Sequence, residues 1–265
     1  MTTDSEQYLK QKNFLKRILT VYGRKPVLEL INDASITIHK VHFADSNKPA
    51  SILKEIEDKA QKRGITCEYH AKQALSRISK NSKQDQGIAA DIYLKGFIDL
   101  DTFLEAYSKK DSRDKNTVPF TLIALDNVTN PQNVGMIIRS VCASPATGLI
   151  IPEKGCAKLD ALVIKASAGT LFKAPIIRTH ALSHCLEALK KVGADVVGLD
   201  VNGKHSLSSL NKQNHKVFVL GNESDGLSQA TSQQCTKHVA INMHNGVESL
   251  NVAVTASLIA FNGAL

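Results

Sequence analysis

Short apolar runs alternate with stretches of helical periodicity along nearly the whole chain, and this alternation limits the possible folds more than any other feature. In the second half, TLIALD, GLII, APIIRT, Asp195–Leu199, Val217–Leu220 and His238–Ile241 read as buried strands. Between them, VGMIIRSVCA, LDALVIKASAG, Leu182–Val192 and a segment near Leu227 read as helices, and an apolar helix over Ser249–Phe261 closes the chain. Strands separated by helices predict an α/β fold with a mostly parallel sheet covered on both faces. The first half carries a smaller α/β pattern, with helices at Pro26–Asn32, Pro49–Arg63 and Ala71–Ser79 and strands at Ser35–Ala44, Ile65–His70 and Gly87–Leu94. Nine polar residues, Ser108–Asn116, interrupt the alternation. The expected organisation is therefore a helical extension over 1–20 (Tyr8, Leu9, Phe14, Leu15, Ile18, Leu19), a smaller unit over 21–107, a linker over 108–117 and a larger unit over 118–265. The 265 residues suit one large or two modest domains of ~150 residues each.

Lys and Arg number 33 against 25 Asp and Glu, a formal charge of +8 that suits a polyanionic partner without demanding one. Residues 1–120 hold 21 basic and 16 acidic side chains, or +5, leaving +3 for the rest. The excess gathers early, at Lys10, Lys12, Lys16, Arg17, Arg24 and Lys25, where a solvated helix face is the plain alternative. No apolar run reaches the ~18 residues of a membrane span, and the N-terminal residues show no signal-peptide core. Five cysteines without a C-x-x-C pair argue against a disulfide framework and a zinc site, so a reducing cytoplasm is the expected compartment. Nine histidines form no metal-binding motif, and no metal is expected.

Ligands of open α/β sheets bind at the carboxyl ends of strands, and three loops there are unusual. The first is DNVTNPQNVGMIIR, Asp126–Arg139. Asn130, Pro131 and Asn133 suit a turn and helix cap, and Gly135, one turn before Arg139, is expected to leave room for that side chain. A cap followed by a surface arginine is the bland reading. The second is GNESDGL, Gly221–Leu227. Leu227 occupies the place of a phosphate-loop lysine, which disfavours an NTPase, and no G-x-G-x-x-G dinucleotide pattern occurs. A glycine-flanked turn bearing Glu223 could hold an adenosine-like ligand or simply join a strand to a helix. The third is INMHNGVESLN, Ile241–Asn251, which places Ser249 and Asn251 in the first turn of the last helix, near free backbone N–H groups. His244 reads as a bystander. The helix itself is apolar around most of its circumference (Leu250, Val252, Val254, Leu258, Ile259, Phe261), as in a core or a subunit interface.

NPQNVGMIIR, VFVLGNESDGL and INMHNGVESLNVAV, in that order and with KASAGTLFKAPIIR between them, resemble the three motifs of the TrmH/SpoU-type RNA ribose methyltransferases of the SPOUT superfamily. The resemblance covers about residues 118–262. Asn242 departs from it, standing where family members usually carry proline, and is expected to loosen the turn slightly. Residues Val21–Leu94, through VYGRKPVLELI and DQGIAA, also resemble an accessory RNA-binding domain with the fold of small ribosomal proteins.

The resemblance implies a deep trefoil knot, one of the rare exceptions to unknotted chains. It implies S-adenosylmethionine held by Leu199, Leu220, Gly221, Asn222, Gly226, Ile241, Met243 and Leu250. A homodimer through the last helix, with the RNA site built across it, is implied as well. The resemblance also implies the leading catalytic role for Arg139, with Asn133, Glu223, Ser249 and Asn251 expected to orient ribose, arginine and cofactor. Arg24, Lys25, Asn130 and Arg139 are the expected RNA contacts. A guanidinium is normally never a base, so Arg139 is either that base or a clamp that orients phosphate and stabilises a developing alkoxide. The expected substrate is structured RNA, 23S rRNA and a guanosine first. The alternatives are a tRNA, an rRNA adenosine methylated for antibiotic resistance, or a non-catalytic RNA-binding protein.

Overall fold

The computed structural model describes residues 17–94, 96–108, 119–211 and 213–262. The chain divides into two compact units, 1–95 and 96–265. Among the described residues no helix is long and apolar enough to cross a membrane.

The first unit runs β1 (Ile18–Tyr22), α1 (Arg24–Asn32), β2 (Ile38–Ala44), α2 (Ser51–Lys62), β3 (Thr66–His70), α3 (Lys72–Ser79) and β4 (Ile88–Tyr93). Its sheet has the order β1-β4-β2-β3, with β4 antiparallel to both neighbours and β3 a parallel edge strand. Strand alternation sends Ala44 and Ala89 to the side where Leu75 of α3 packs. Val41, Phe43, Ala90 and Ile92 are buried on the opposite side, with α1 against β4 and α2 against β3. The first side is covered at one end only. Beyond α3 it carries Thr20, Lys40, His42, Glu68 and Asp91, all polar.

The expected helical extension is corrected at its end: Ile18–Thr20 are strand, paired with Ile92, Asp91 and Tyr93 of β4. Residues 1–16, with Lys10, Lys12 and Lys16, lie outside the described residues.

The second unit runs β5 (Phe97–Asp99), α4 (Leu100–Ser108), β6 (Thr121–Leu125), α5 (Pro131–Ala143), β7 (Gly148–Pro152), α6 (Ala161–Ala166), β8 (Ile176–Thr179) and α7 (Leu182–Lys191). It continues with β9 (Asp195–Leu199), β10 (His205–Ser206), β11 (Lys216–Leu220), α8 (Gln229–Ser232), β12 (Lys237–Ala240) and α9 (Val252–Ala260). All eight strands are parallel, in the order β10-β12-β9-β11-β6-β7-β8-β5. Strands β7 and β11, which flank β6 in the interior of the sheet, are buried at every position, as their near-continuous apolar sequences require when helices cover both faces.

The expected boundary at 107/108 is moved. β5 pairs with β8, and Phe103 and Tyr107 of α4 pack on Phe120 with ring centroids 5.4 and 4.9 Å apart. Residues 97–108 therefore belong to the larger sheet, and the expected linker lies outside the described residues apart from Ser108.

Chain order along the sheet reverses between β6 and β11. From β6 the chain steps outward to β7 and β8, then crosses to build β9, β11 and β12 on the other side. The carboxyl ends at such a reversal leave a crevice that neighbouring loops do not fill.

Candidate active site

At that end of the sheet lies a cleft of about 560 Å³, within the range of small-molecule sites. Its walls are the ends of β9, β11 and β12 together with the Gly221–Leu227 and Ile241–Leu250 loops. All eight side chains or backbones assigned to the cofactor line it: Leu199, Leu220, Gly221, Asn222, Gly226, Ile241, Met243 and Leu250. Five of the eight are apolar, and Asp200, Glu223, Ser224 and Asp225 add oxygen acceptors at the rim.

The floor of the cleft is a tight hairpin. Asn222 and Gly226 exchange backbone hydrogen bonds of 2.9 and 3.0 Å, and Gly226 takes a φ of +67°, open to glycine at no steric cost. The Asn222 side chain secures the turn twice: Nδ2 donates to the Asn127 carbonyl at 3.0 Å, and Oδ1 accepts from Ser224 N at 2.9 Å. Behind the turn, Asp126 Oδ2 accepts from Ser228 N at 2.7 Å, linking the end of β6 to the entry of α8.

The first and third loops meet the second through one chain of amides. Asn251 Nδ2 donates to Asn133 Oδ1 at 3.1 Å, and Asn133 Nδ2 donates to Glu223 Oε1. Asn251 also caps α9, its Oδ1 accepting from Ala253 N at 2.8 Å. Asn133 is buried, so both ends of its amide are committed and its orientation is fixed. Glu223 keeps its second oxygen for the cleft that it lines.

Several expected placements are corrected. Ser249 lies outside α9, because Asn251 and not Ser249 is the cap; it lines the cleft from the loop. Asn130 caps α5, its Oδ1 accepting from Gln132 N at 2.9 Å, so that oxygen already has a structural partner. Gly135 makes no room for Arg139. A Cβ there would stand 2.4 Å from Ala166 Cβ and 2.9 Å from Ser167 N, so the glycine permits close approach of α5 to α6.

Arg139 is exposed and does not line the cleft of its own chain. Met136, 42% exposed, lies one turn before both Arg139 and Ser140 on α5, and Ser140 Oγ lies 2.7 Å from Ser257 Oγ of α9. Next to Ser257, Val254 and Leu258 are each 48% exposed, while Val252 and Ile259 are buried. The helix expected to be apolar all round thus buries one side and presents the other. Thr255, on the same helix, reaches the cleft.

In the first unit Lys25 is exposed at the start of α1, and Arg24 Nε donates to the Gln86 carbonyl at 3.1 Å. Asn242 and His244 are exposed. Burial pushes the Cys156 and Cys235 thiols up to about 11 and Cys185 up to about 12, so none of these three is a ready nucleophile. Although the sequence carries no metal-binding motif, His42, Glu68 and His70 of the first unit bring three ligating atoms within 4.8 Å of one another. Glu-x-His on a strand was the one local signal, because residues two apart share a face.

A family model described as SpoU rRNA Methylase matches residues 121–261, and one described as RNA 2'-O ribose methyltransferase substrate binding matches residues 20–95. An uncharacterized tRNA/rRNA methyltransferase of Mycolicibacterium paratuberculosis is 32% identical over 240 residues, covering 91% of this chain and 75% of its own. Among solved structures, the SpoU methyltransferase AviRb from Streptomyces viridochromogenes, in complex with AdoMet, is similar with a TM-score of 0.58. That match is 22% identical and covers 97% of this chain and 92% of AviRb. An AdoMet-bound rRNA methyltransferase from Sinorhizobium meliloti aligns with a TM-score of 0.59 and 20% identity, over 95% of this chain and 88% of that one. Both solved structures share the fold.

Proposed function

Because the chain belongs to the SpoU rRNA methylase family of RNA methyltransferases, we propose that it methylates a ribose 2′-hydroxyl in structured RNA, with S-adenosylmethionine as donor and a guanosine of 23S rRNA as the first candidate. The observation that carries this reading is the meeting of three loops, distant in sequence, at one cleft on the carboxyl edge of a parallel sheet.

The cleft suits the donor. Leu199, Leu220, Ile241, Met243 and Leu250 offer apolar surface for an adenine, and the Gly221–Gly226 hairpin, closed by its paired backbone hydrogen bonds, forms the floor beneath it. The acidic rim of Asp200, Glu223 and Asp225 suits a cationic ligand. When bound, S-adenosylmethionine supplies a methyl group on a sulfonium, an electrophile that needs no metal. The chain must then position and polarise a weakly acidic hydroxyl. Asn133, held from both sides, keeps Glu223 aimed at the cleft, and Asn251 ties that pair to α9. Arg139 supplies the guanidinium that orients the RNA phosphate and stabilises the developing alkoxide. Lys25 and Arg24 contribute phosphate contacts in the first unit, an attraction that salt weakens.

Because Arg139 stands away from the cleft of its own chain, the site is completed by a second copy. The apolar strip of Met136, Val254 and Leu258 is the surface that copy covers, with Arg139 carried on it. The trefoil knot belongs to the same reading. Val254→Asp with Leu258→Asp is expected to shift the protein from dimer to monomer in sedimentation velocity, and methyl transfer should fall with the dimer. A variant that stays dimeric and active would place the interface elsewhere.

The activity is tested with methyl-labelled S-adenosylmethionine and separate pools of rRNA and tRNA from a strain lacking the gene. Label recovered as a 2′-O-methylguanosine of 23S rRNA is the expected result. Label in tRNA alone would replace the substrate, and RNA binding without label would replace the enzyme by a binding protein.

A further inference from the structure

On the open side of the first unit's sheet, three side chains aim ligating atoms at one point. His42 Nδ1 lies 3.0 Å from His70 Nε2, and Glu68 Oε2 lies 3.7 Å from each of those nitrogens. The backbone makes this convergence. His42 of β2 stands directly opposite Glu68 of the parallel neighbour β3, and His70 follows two residues later on the same face.

Two further contacts orient the group. His42 Nε2 lies 3.1 Å from Asp91 Oδ2, and Thr20 Oγ1 donates to Asp91 Oδ1 at 2.7 Å. A carboxylate accepts only, so His42 donates its Nε2 proton to Asp91, and the neutral ring in that tautomer turns its Nδ1 lone pair toward His70 and Glu68. Lys40 Nζ binds Glu68 Oε1 at 2.5 Å, leaving Oε2 for the common point.

We propose that His42 Nδ1, His70 Nε2 and Glu68 Oε2 form a binding site for a first-row divalent cation, zinc foremost, in the RNA-binding unit. Metal–ligand bonds of about 2.0–2.1 Å at tetrahedral angles separate ligand atoms by about 3.3 Å, and the observed 3.0, 3.7 and 3.7 Å bracket that edge. Two imidazoles and one carboxylate select zinc over magnesium or calcium. The Asp91–His42 pair is the carboxylate–histidine link that such sites use to set the ring and its tautomer. His70 and Glu68 are partly exposed, so water completes the coordination. The consequence is structural: the ion ties edge strand β3 to β2, and every ligand lies on that pair.

A hydrogen bond from His70 to His42 also explains the 3.0 Å contact, and the test must separate the two readings. Full-length protein stripped with chelator is titrated with zinc alone, followed calorimetrically, and its thermal midpoint is recorded. One equivalent should bind and raise the midpoint. Glu68→Gln, which keeps shape, and His70→Ala should each lose that equivalent and the rise. Asp91→Asn should weaken binding about 10- to 100-fold without changing the stoichiometry. Cobalt in place of zinc should show visible bands of a four-coordinate ion, with no thiolate charge transfer. Unchanged binding in both ligand variants, thiolate bands, or no binding by a folded wild type would overturn the site.

Discussion

Replacing Arg139 by alanine is expected to lower methyl transfer about 10²- to 10³-fold, the range seen when one donor to a developing oxyanion is removed, while S-adenosylmethionine affinity stays within about twofold, a change of under ~0.5 kcal/mol. The separation follows from placement. The side chain is exposed, lies outside the cleft-lining set, and has no ion pair among the described residues. Its loss therefore costs the fold little, within about 0.5 kcal/mol for such surface positions. Arg139→Lys separates charge from shape. A point charge should recover part of the rate if alkoxide stabilisation dominates, and almost none if a planar fork on phosphate sets the geometry. Single-turnover methylation with saturating RNA gives the rate, and calorimetry with S-adenosylmethionine gives the affinity. Full turnover in the alanine variant would remove Arg139 from the chemistry. A parallel fall in cofactor affinity would instead make it a residue that shapes the cleft.

The contrast between Arg139 and the cleft residues shows what could be read from the residues in advance. Buried parallel strands announce themselves, since TLIAL, GLIIP and KVFVL need apolar side chains on both faces. β1 was hidden because Phe14, Leu15, Ile18 and Leu19 have helical spacing, while the pairing that makes Ile18–Tyr22 a strand comes from β4, some seventy residues away. β5 has only three residues and exists through its pairing with β8. Both are contacts that no local window contains.

The candidate site divides in the same way. The glycine-flanked turn and the asparagine caps are local chemistry, and they stood out. The last helix starts later than its apolar pattern suggests, because Asn251 both caps it and donates to the Asn133 carbonyl oxygen, a contact distant in sequence that leaves Ser249 in the loop. Helical spacing put Gly135 and Arg139 on one face, but the α6 backbone takes the space beside the glycine. The His42, Glu68 and His70 cluster required the β2–β3 register, which places residue 42 beside residue 68.

Gly221→Ala is expected to cost S-adenosylmethionine binding about 10- to 100-fold. The added Cβ would stand 2.2 Å from the Gly226 carbonyl carbon, 2.3 Å from its oxygen and 2.5 Å from Leu227 N. All three atoms are backbone, so no flexible side chain can swing aside. Relief requires the hairpin to open, which breaks the paired Asn222–Gly226 hydrogen bonds, worth about 1 kcal/mol each, and displaces the floor of the cleft. Overpacking of this kind costs about 1–3 kcal/mol of stability, so the melting temperature should fall by several degrees while the protein stays folded. Gly226→Ala is the control. Its Cβ would meet nothing within 4 Å, and only the φ of +67° opposes it, at about 1–2 kcal/mol. Strain without a backbone collision leaves the hairpin closed, so Gly226→Ala should lose stability comparably and affinity far less. Equal affinities for the two variants would mean that the hairpin does not form the floor on which the adenosine rests, and the cofactor reading of this loop would fall.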